Sequence, residues 1–226
     1  MTKTSDTTEI SGKIMRYGIY GGSFDPIHWG HLLLAETCLR KANLDRVLFV
    51  PSGISPHKAK LRQTPGELRA EMIETAIAGC DEFSVSHFEI EQKKTSYTVE
   101  TVRHFRDSLL DAELFLLVGA DMYYDLPRWF EAAEILQTVI PVGVYRPGGP
   151  PPHVEVFQGM LPQERLELFR RYIVRMPQVE ISSSMIRENI ANGESVRFLM
   201  PRAVESIVRS HRLYESRHAN GHSYSP

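Results

Sequence analysis

The run Gly21-Gly22-Ser23-Phe24-Asp25-Pro26-Ile27-His28-Trp29-Gly30-His31 constrains this chain more than any other. It follows a short apolar run, Tyr17-Gly18-Ile19-Tyr20, and leads into a helix-favouring one, His31-Leu32-Leu33-Leu34-Ala35-Glu36. Strand, glycine turn, helix: that order directs backbone N–H groups and a helix N-terminus at one point, where a phosphate can sit. The turn is not a Walker A loop, since no Gly-Lys-Ser/Thr follows, and not GxGxxG, since its paired glycines are adjacent. His28 and His31 fall in the same turn. Zinc would need a third or fourth protein ligand, and no Cys/His/Glu cluster at ligand spacing supplies one. Either histidine alone would pass as a structural residue; the pair in this turn points to phosphate.

The rest of the chain alternates strand and helix. Strands are expected at Met15–Tyr20, Arg46–Val50, Phe83–Ser86, Leu114–Val118, Thr138–Tyr145 and Val179–Ile181. Pro141 places the fifth near an edge or at a bulge. Helices are expected from about Gly30 to Lys41 and, with Thr64 as N-cap, Pro65 at the first position and Glu67 completing a capping box, to about Ala78. Further helices open at Thr95–Thr98, run from about Arg128 to Leu136 and from Pro162 to Arg170, begin again at Ser182–Ser184, and close the chain at Pro201–Leu213. This alternation predicts an α/β fold: a Rossmann-like, doubly wound, mainly parallel sheet with helices on both faces. Such sheets bind ligands beyond the carboxyl ends of their strands. Gly21–His31, Pro51–Lys58, Gly119–Asp121 and Ser182–Arg187 each follow an expected strand, so one site at one sheet edge is expected.

One domain is expected over 13–214, with a disordered polar leader at 1–12 and a disordered tail at 215–226. The net charge of −2 gives no basic excess, which argues against a nucleic-acid partner. No apolar run approaches the ~20 residues of a membrane helix. The two cysteines, Cys38 and Cys80, have no CxxC neighbour and read as reduced thiols of a cytoplasmic protein. The oligomeric state is open, and a homo-oligomer is possible.

Several stretches carry a resemblance. Gly21–His31 resembles the GGxFDPxHxGH signature of nucleotidyltransferases of the HxGH class, and Ile181-Ser182-Ser183-Ser184-Met185-Ile186-Arg187 resembles their ISSTxIR signature, with Ser184 in place of Thr. Pro51-Ser52-Gly53-Ile54-Ser55-Pro56-His57-Lys58 is similar to the PxxxPPHK loop of nicotinate-nucleotide adenylyltransferases, with Ser55 replacing a Pro. Ser96-Tyr97-Thr98, Gly119-Ala120-Asp121 and Leu126-Pro127-Arg128-Trp129 match that family too.

The resemblance implies adenylyl transfer from ATP to nicotinate mononucleotide, with Mg²⁺ accompanying ATP and no resident metal. It implies His28, His31, Lys58 and Arg187 as catalytic donors to the phosphates. ATP would lie on Gly21, Gly22, Ser23, Phe24, Gly30, Gly119, Asp121, Ser182, Ser183 and Ser184. The nicotinate nucleotide would meet Asp25, Lys58, Tyr97, Thr98 and Trp129. Asp25 has a second reading, favoured on electrostatic grounds: a carboxylate repels a triphosphate, so it holds the turn through backbone N–H groups. Trp129 would stack on the pyridine ring or else sit in the core. Related transferases of nicotinamide mononucleotide or phosphopantetheine are the alternative, as is a non-catalytic nucleotide-binding module.

Overall fold

Apolar runs rich in Val, Leu, Ile and Phe form six strands: β1 (Met15–Gly22), β2 (Arg46–Pro51), β3 (Phe83–Val85), β4 (Ala112–Gly119), β5 (Ile140–Tyr145) and β6 (Ile173–Arg175). The computed structural model describes residues 13–53, 63–92 and 94–216. The expected leader 1–12, Lys58 and the tail from 217 onward lie outside the described residues. The strands pair in parallel in the order β3-β2-β1-β4-β5-β6. Central strands of such a sheet are covered on both faces, and Val47, Phe49, Val50, Phe115, Leu116 and Leu117 are accordingly buried.

The helices are α1 (Trp29–Lys41), α2 (Gly66–Ile77), α3 (Phe88–Glu91), α4 (Thr98–Ser108), α5 (Ala120–Asp125), α6 (Ala132–Thr138), α7 (Gln163–Arg170), α8 (Ser183–Ala191) and α9 (Arg202–Ser210). The chain winds outward from β1 in one direction and from β4 in the other. Right-handed crossovers then place α1 and α2 on one face and α4 to α7 on the opposite one. α9 packs on α2, and α4 packs on α6. Among the described residues no helix is long and apolar enough to cross a membrane.

Four expectations are corrected. Val179–Ile181 is not a strand. The sixth strand comes earlier, at Ile173–Arg175, and ends where Met176 N–H reaches Tyr145 O at 3.0 Å; Pro177 has no N–H with which to extend the ladder. The helix expected at Arg128–Leu136 is broken up. α5 starts directly at the end of β4, Pro127 turns the chain into a 3₁₀ segment at Leu126–Arg128, and α6 begins only after Glu131, which has a left-handed φ of 52°. Thr64 does not cap α2: Pro65 occupies the N-cap, with no side-chain cap bond, and the Thr64 hydroxyl turns to Tyr214. Finally, β5 is not an edge strand. Gly143 N–H faces β6 by donating to Tyr172 O, so the nitrogen of Pro141, two residues earlier, faces the same side before β6 has begun. The missing donor falls where no strand asks for it.

One buried cation ties the loops at the carboxyl edge. Arg69 of α2 donates from Nε to Thr64 O at 2.9 Å, from Nη1 to Ser23 O at 2.7 Å and from Nη2 to Ser52 O at 2.6 Å. A planar guanidinium spans three carbonyls spread around its fork, each from a different nitrogen; the three donors of an ammonium radiate from a single nitrogen and fit that spread less well. Arg69→Met should therefore destabilise the protein by about 2–4 kcal/mol, since buried carbonyls lose their donors, and Arg69→Lys should recover less than half of that. Urea unfolding of the two variants measures both. A loss of under about 0.5 kcal/mol in Arg69→Met would remove this role from Arg69.

Candidate active site

β1 and β4 are neighbours from which the chain departs in opposite directions, the topology that opens a crevice at their carboxyl ends. Gly21, the penultimate residue of β1, and Gly119, the last of β4, face open space: a Cβ at either would meet nothing within 4 Å. Past Gly22 the chain turns sharply. Phe24 adopts a left-handed φ of 46°, and the Asp25–Pro26 peptide is cis. The Phe24 ring is buried edge-on against Tyr20 and His31, at centroid distances of 5.2 and 5.0 Å. This anchors the turn from beneath and leaves its polar groups above.

His28 is the N-cap of α1. Its Nδ1 accepts the Gly30 N–H at 3.1 Å. Gly30 is needed for that fold-back, because a Cβ there would stand 3.0 Å from the His28 ring. His28 is buried, and burial, helped by the positive charge of Arg146, pushes its pKa down to about 4. The imidazole is therefore neutral near pH 7, and with Nδ1 accepting, its proton is on Nε2, available to donate outward. His31, in the first turn of α1, stacks on His28 with ring centroids 3.8 Å apart and planes 24° apart. No acidic residue occupies that first turn, so the positive end of the helix is unmasked.

A second helix N-terminus docks on the same turn. Ser182 caps α8 by accepting the Met185 N–H at 3.2 Å. Ser183 Oγ donates to Pro26 O at 2.9 Å. Arg187, one turn on, donates from Nη1 to Asp25 O at 2.7 Å and from Nη2 to Ser184 Oγ at 3.2 Å. The Gly21–His31 and Ser182–Arg187 stretches, 150 residues apart in sequence, are thus hydrogen-bonded to one another. The Asp25 carboxylate is buried and occupied, accepting the Thr64 N–H at 3.2 Å and the Tyr214 hydroxyl at 2.5 Å.

The other expected residues take separate places. Ser23 lends its carbonyl to Arg69. Gly119 is the N-cap of α5, and Asp121 is exposed in the first turn of that helix. Tyr97 and Thr98 open α4, Tyr97 exposed. Trp129 follows the 3₁₀ segment and is half-buried against the core. These two stretches meet through a residue the sequence reading did not name: the exposed Phe130 ring lies 4.9 Å from that of Tyr97. Behind them, Arg103 of α4 grips Glu131 at 2.6 Å and also pairs with Glu134. Arg69 and Tyr214 were missed, and Thr64 was read only as a helix cap, because their roles here depend on contacts across the fold. Arg146 could have been found, since it directly follows β5 and carboxyl strand ends were the places to look. Among the described residues no three His, Cys, Asp or Glu side chains group to hold a metal ion.

Residues 19–189 match the family described as Cytidylyltransferase-like, a class of nucleotidyltransferases. A relative from Rubrobacter xylanophilus is 40% identical over 204 residues, spanning 89% of this chain and 93% of that protein; its name is "Probable nicotinate-nucleotide adenylyltransferase". Relatives of the same name from Geobacillus thermodenitrificans and Rhodopirellula baltica are 38% and 34% identical, covering 91% and 88% of this chain and 88% and 94% of their own. The fold is similar to that of the Plasmodium falciparum nicotinic acid mononucleotide adenylyltransferase complexed with NaAD: TM-score 0.69, 16% identity, 88% of this chain and 97% of that one. The chain belongs to the cytidylyltransferase-like family and, within it, to the nicotinate-nucleotide adenylyltransferases.

The His28 environment has a measurable signature. Ring ¹H–¹⁵N spectra should show the Nε2–H tautomer from about pH 5 upward, with titration near pH 4. Arg146→Ala should raise that pKa, by less than burial lowers it. Because the folded pKa lies below the unfolded one, the unfolded chain binds more protons between about pH 6.5 and 4. Stability from this residue is therefore full above pH 6.5 and falls with pH through that window, by on the order of 3 kcal/mol in all. A His28 titration near 6.5 would contradict the neutral assignment.

Proposed function

We propose that this chain transfers the adenylyl group of ATP to nicotinate mononucleotide, giving deamido-NAD and pyrophosphate in NAD biosynthesis. The observation that carries the reading is the convergence on one turn of two helix N-termini, the stacked His28–His31 pair and Arg187. A phosphate oxygen of the nucleotide attacks the α-phosphorus of ATP in line. The bond from that phosphorus to the oxygen bridging to the β-phosphate breaks, and its electron pair leaves with pyrophosphate. Charge grows on the non-bridging and leaving oxygens, so catalysis is positioning plus stabilisation of that charge.

His28, neutral and protonated on Nε2, acts as a hydrogen-bond donor rather than as a proton source. His31 donates beside it. The N–H groups of Ser183 and Ser184 and the Ser184 hydroxyl face the phosphates, the Ser183 hydroxyl being spent on Pro26 O, and Arg187 neutralises the leaving end. Gly21 and Gly119 leave room for the nucleotide to lie against the strand ends, with Asp121 on the ribose side. Trp129 stacks on the pyridine ring, and the Tyr97–Thr98 turn supplies N–H donors for the ring carboxylate. Asp25 acts from behind, holding the turn. Mg²⁺ accompanying ATP would supply charge neutralisation on the triphosphate; the donors of the turn, imidazole, hydroxyl and guanidinium, suit a phosphate rather than a resident cation. A cytoplasmic location fits the free cysteines Cys38 and Cys80.

Pyrophosphate release is the test. The protein should turn over ATP with nicotinate mononucleotide and should prefer it to nicotinamide mononucleotide by at least roughly tenfold in kcat/KM, since a site built for a carboxylate leaves its donors unpaired against an amide. No release with either nucleotide would refute the reading, and a preference for the amide would refute the nicotinate assignment. His31→Ala should lower kcat by roughly 10²–10³-fold with the KM for ATP changed less than about threefold, because its contact strengthens in the transition state. A raised KM with kcat intact would contradict that role.

A further inference from the structure

We infer that Tyr214, near the end of the described chain, is a positioning residue for adenylyl transfer, acting on the phosphate-binding turn through the Asp25 carboxylate. The inference rests on the reaction proposed above. Three segments remote in sequence meet at the Asp25–Pro26 turn. One carboxylate oxygen accepts the Thr64 N–H at 3.2 Å, ahead of α2. The other accepts the Tyr214 hydroxyl at 2.5 Å. The Asp25 carbonyl accepts Arg187 of α8, and the carbonyl of the next residue accepts Ser183. The Tyr214 oxygen is itself satisfied on both sides, since Thr64 Oγ1 donates to it at 3.2 Å. The phenol is thus held in one orientation, with its O–H directed at the carboxylate.

The backbone that delivers this side chain is strained. Arg212 and Tyr214 adopt left-handed φ angles of 48° and 67° within three residues. Such conformations cost of order 1 kcal/mol or more each in a non-glycine residue and persist only where the surroundings impose them. Here the chain leaves α9, folds back with Leu213 N–H on Val208 O at 2.9 Å, and inserts Tyr214 beneath the turn. Burial and the neighbouring Asp25 carboxylate both push the phenol pKa up, so the donor stays protonated at working pH.

The chemistry explains why such a strap matters. A carboxylate two residues after Ser23 and three before His28 sits next to a site for a highly charged anion. Two inward donors keep its charge directed away from that site. Without the phenol, one oxygen of a buried carboxylate has lost its donor, and rotation toward the site would move the turn and set a negative charge against the charge that grows on the phosphate oxygens in the transition state.

The experiment is Tyr214→Phe, which removes one oxygen and keeps the ring. Steady-state kinetics with ATP and nicotinate mononucleotide, taken per folded molecule from a melting curve, should show kcat lowered at least roughly tenfold, with both KM values within about threefold. Asp25→Asn and the double variant complete a cycle: if the phenol acts through the carboxylate, the double variant should match Asp25→Asn alone within about twofold. Tyr214→Phe within twofold of the parent in kcat, or losses that multiply in the double variant, would overturn the inference. So would a kcat that falls only in proportion to the unfolded fraction. Turnover of the unaltered protein is read in the same assay, so failure of the proposed reaction is seen separately.

Discussion

The parallel pairing of β1 with β4 is the constraint on which the rest of the molecule depends. Tyr17 pairs with Leu114 and Ile19 with Leu116, which puts the two strands in register at the centre of the sheet. From that pair the chain winds outward both ways, and the carboxyl ends of β1 and β4 are left without a crossover between them. The crevice is a consequence of connectivity, not of any single side chain. What the sequence adds is the lining: glycines where the strands end, a capped helix after β1, and a second helix N-terminus brought back from residue 183.

A chain of net charge −2 has no global field with which to attract a triphosphate. Attraction must be local. The first turns of α1 and α8 carry no acidic residue, and a helix N-terminus is equivalent to roughly half a positive charge. Arg187 and Arg146 add full positive charges. His28 contributes in the opposite manner: it is held neutral, so its donor strength does not vary across the physiological range. The one carboxylate in the turn, on Asp25, is hydrogen-bonded from behind. The result is a compact electropositive spot on a weakly acidic protein.

Much of this was legible in the sequence, for identifiable reasons. Long apolar runs declare themselves, so Leu114–Val118 was found as the middle of β4 and Arg46–Val50 as β2. The glycine turn and its histidines were legible because strand, turn and helix are contiguous there. The structure joins that turn to Ser182–Arg187 by hydrogen bonds, as expected from both being near sheet ends, although Ser182 does not directly follow a strand. What could not be read was set by contacts across the fold. β6 is three residues long and exists because β5 offers it an edge. Arg69 has no local pattern that distinguishes it from a surface arginine of α2; only the fold shows three carbonyls around it. Tyr214 is in the same position, 189 residues from its partner. Phe130 escaped notice because an aromatic beside Trp129 carries no signal until α4 brings Tyr97 to it.

That separation of 189 residues also concerns how the protein is made. The glycine turn leaves the ribosome well before the tyrosine that is hydrogen-bonded to it. At ~5–20 residues per second the two are made roughly ten to forty seconds apart. During that interval the sheet, the glycine turn and even α8 can assemble, but Asp25 lacks one of its donors. A product that stops short of residue 214 therefore has the glycine turn and α8 in full and still lacks the hydroxyl that holds one oxygen of the Asp25 carboxylate.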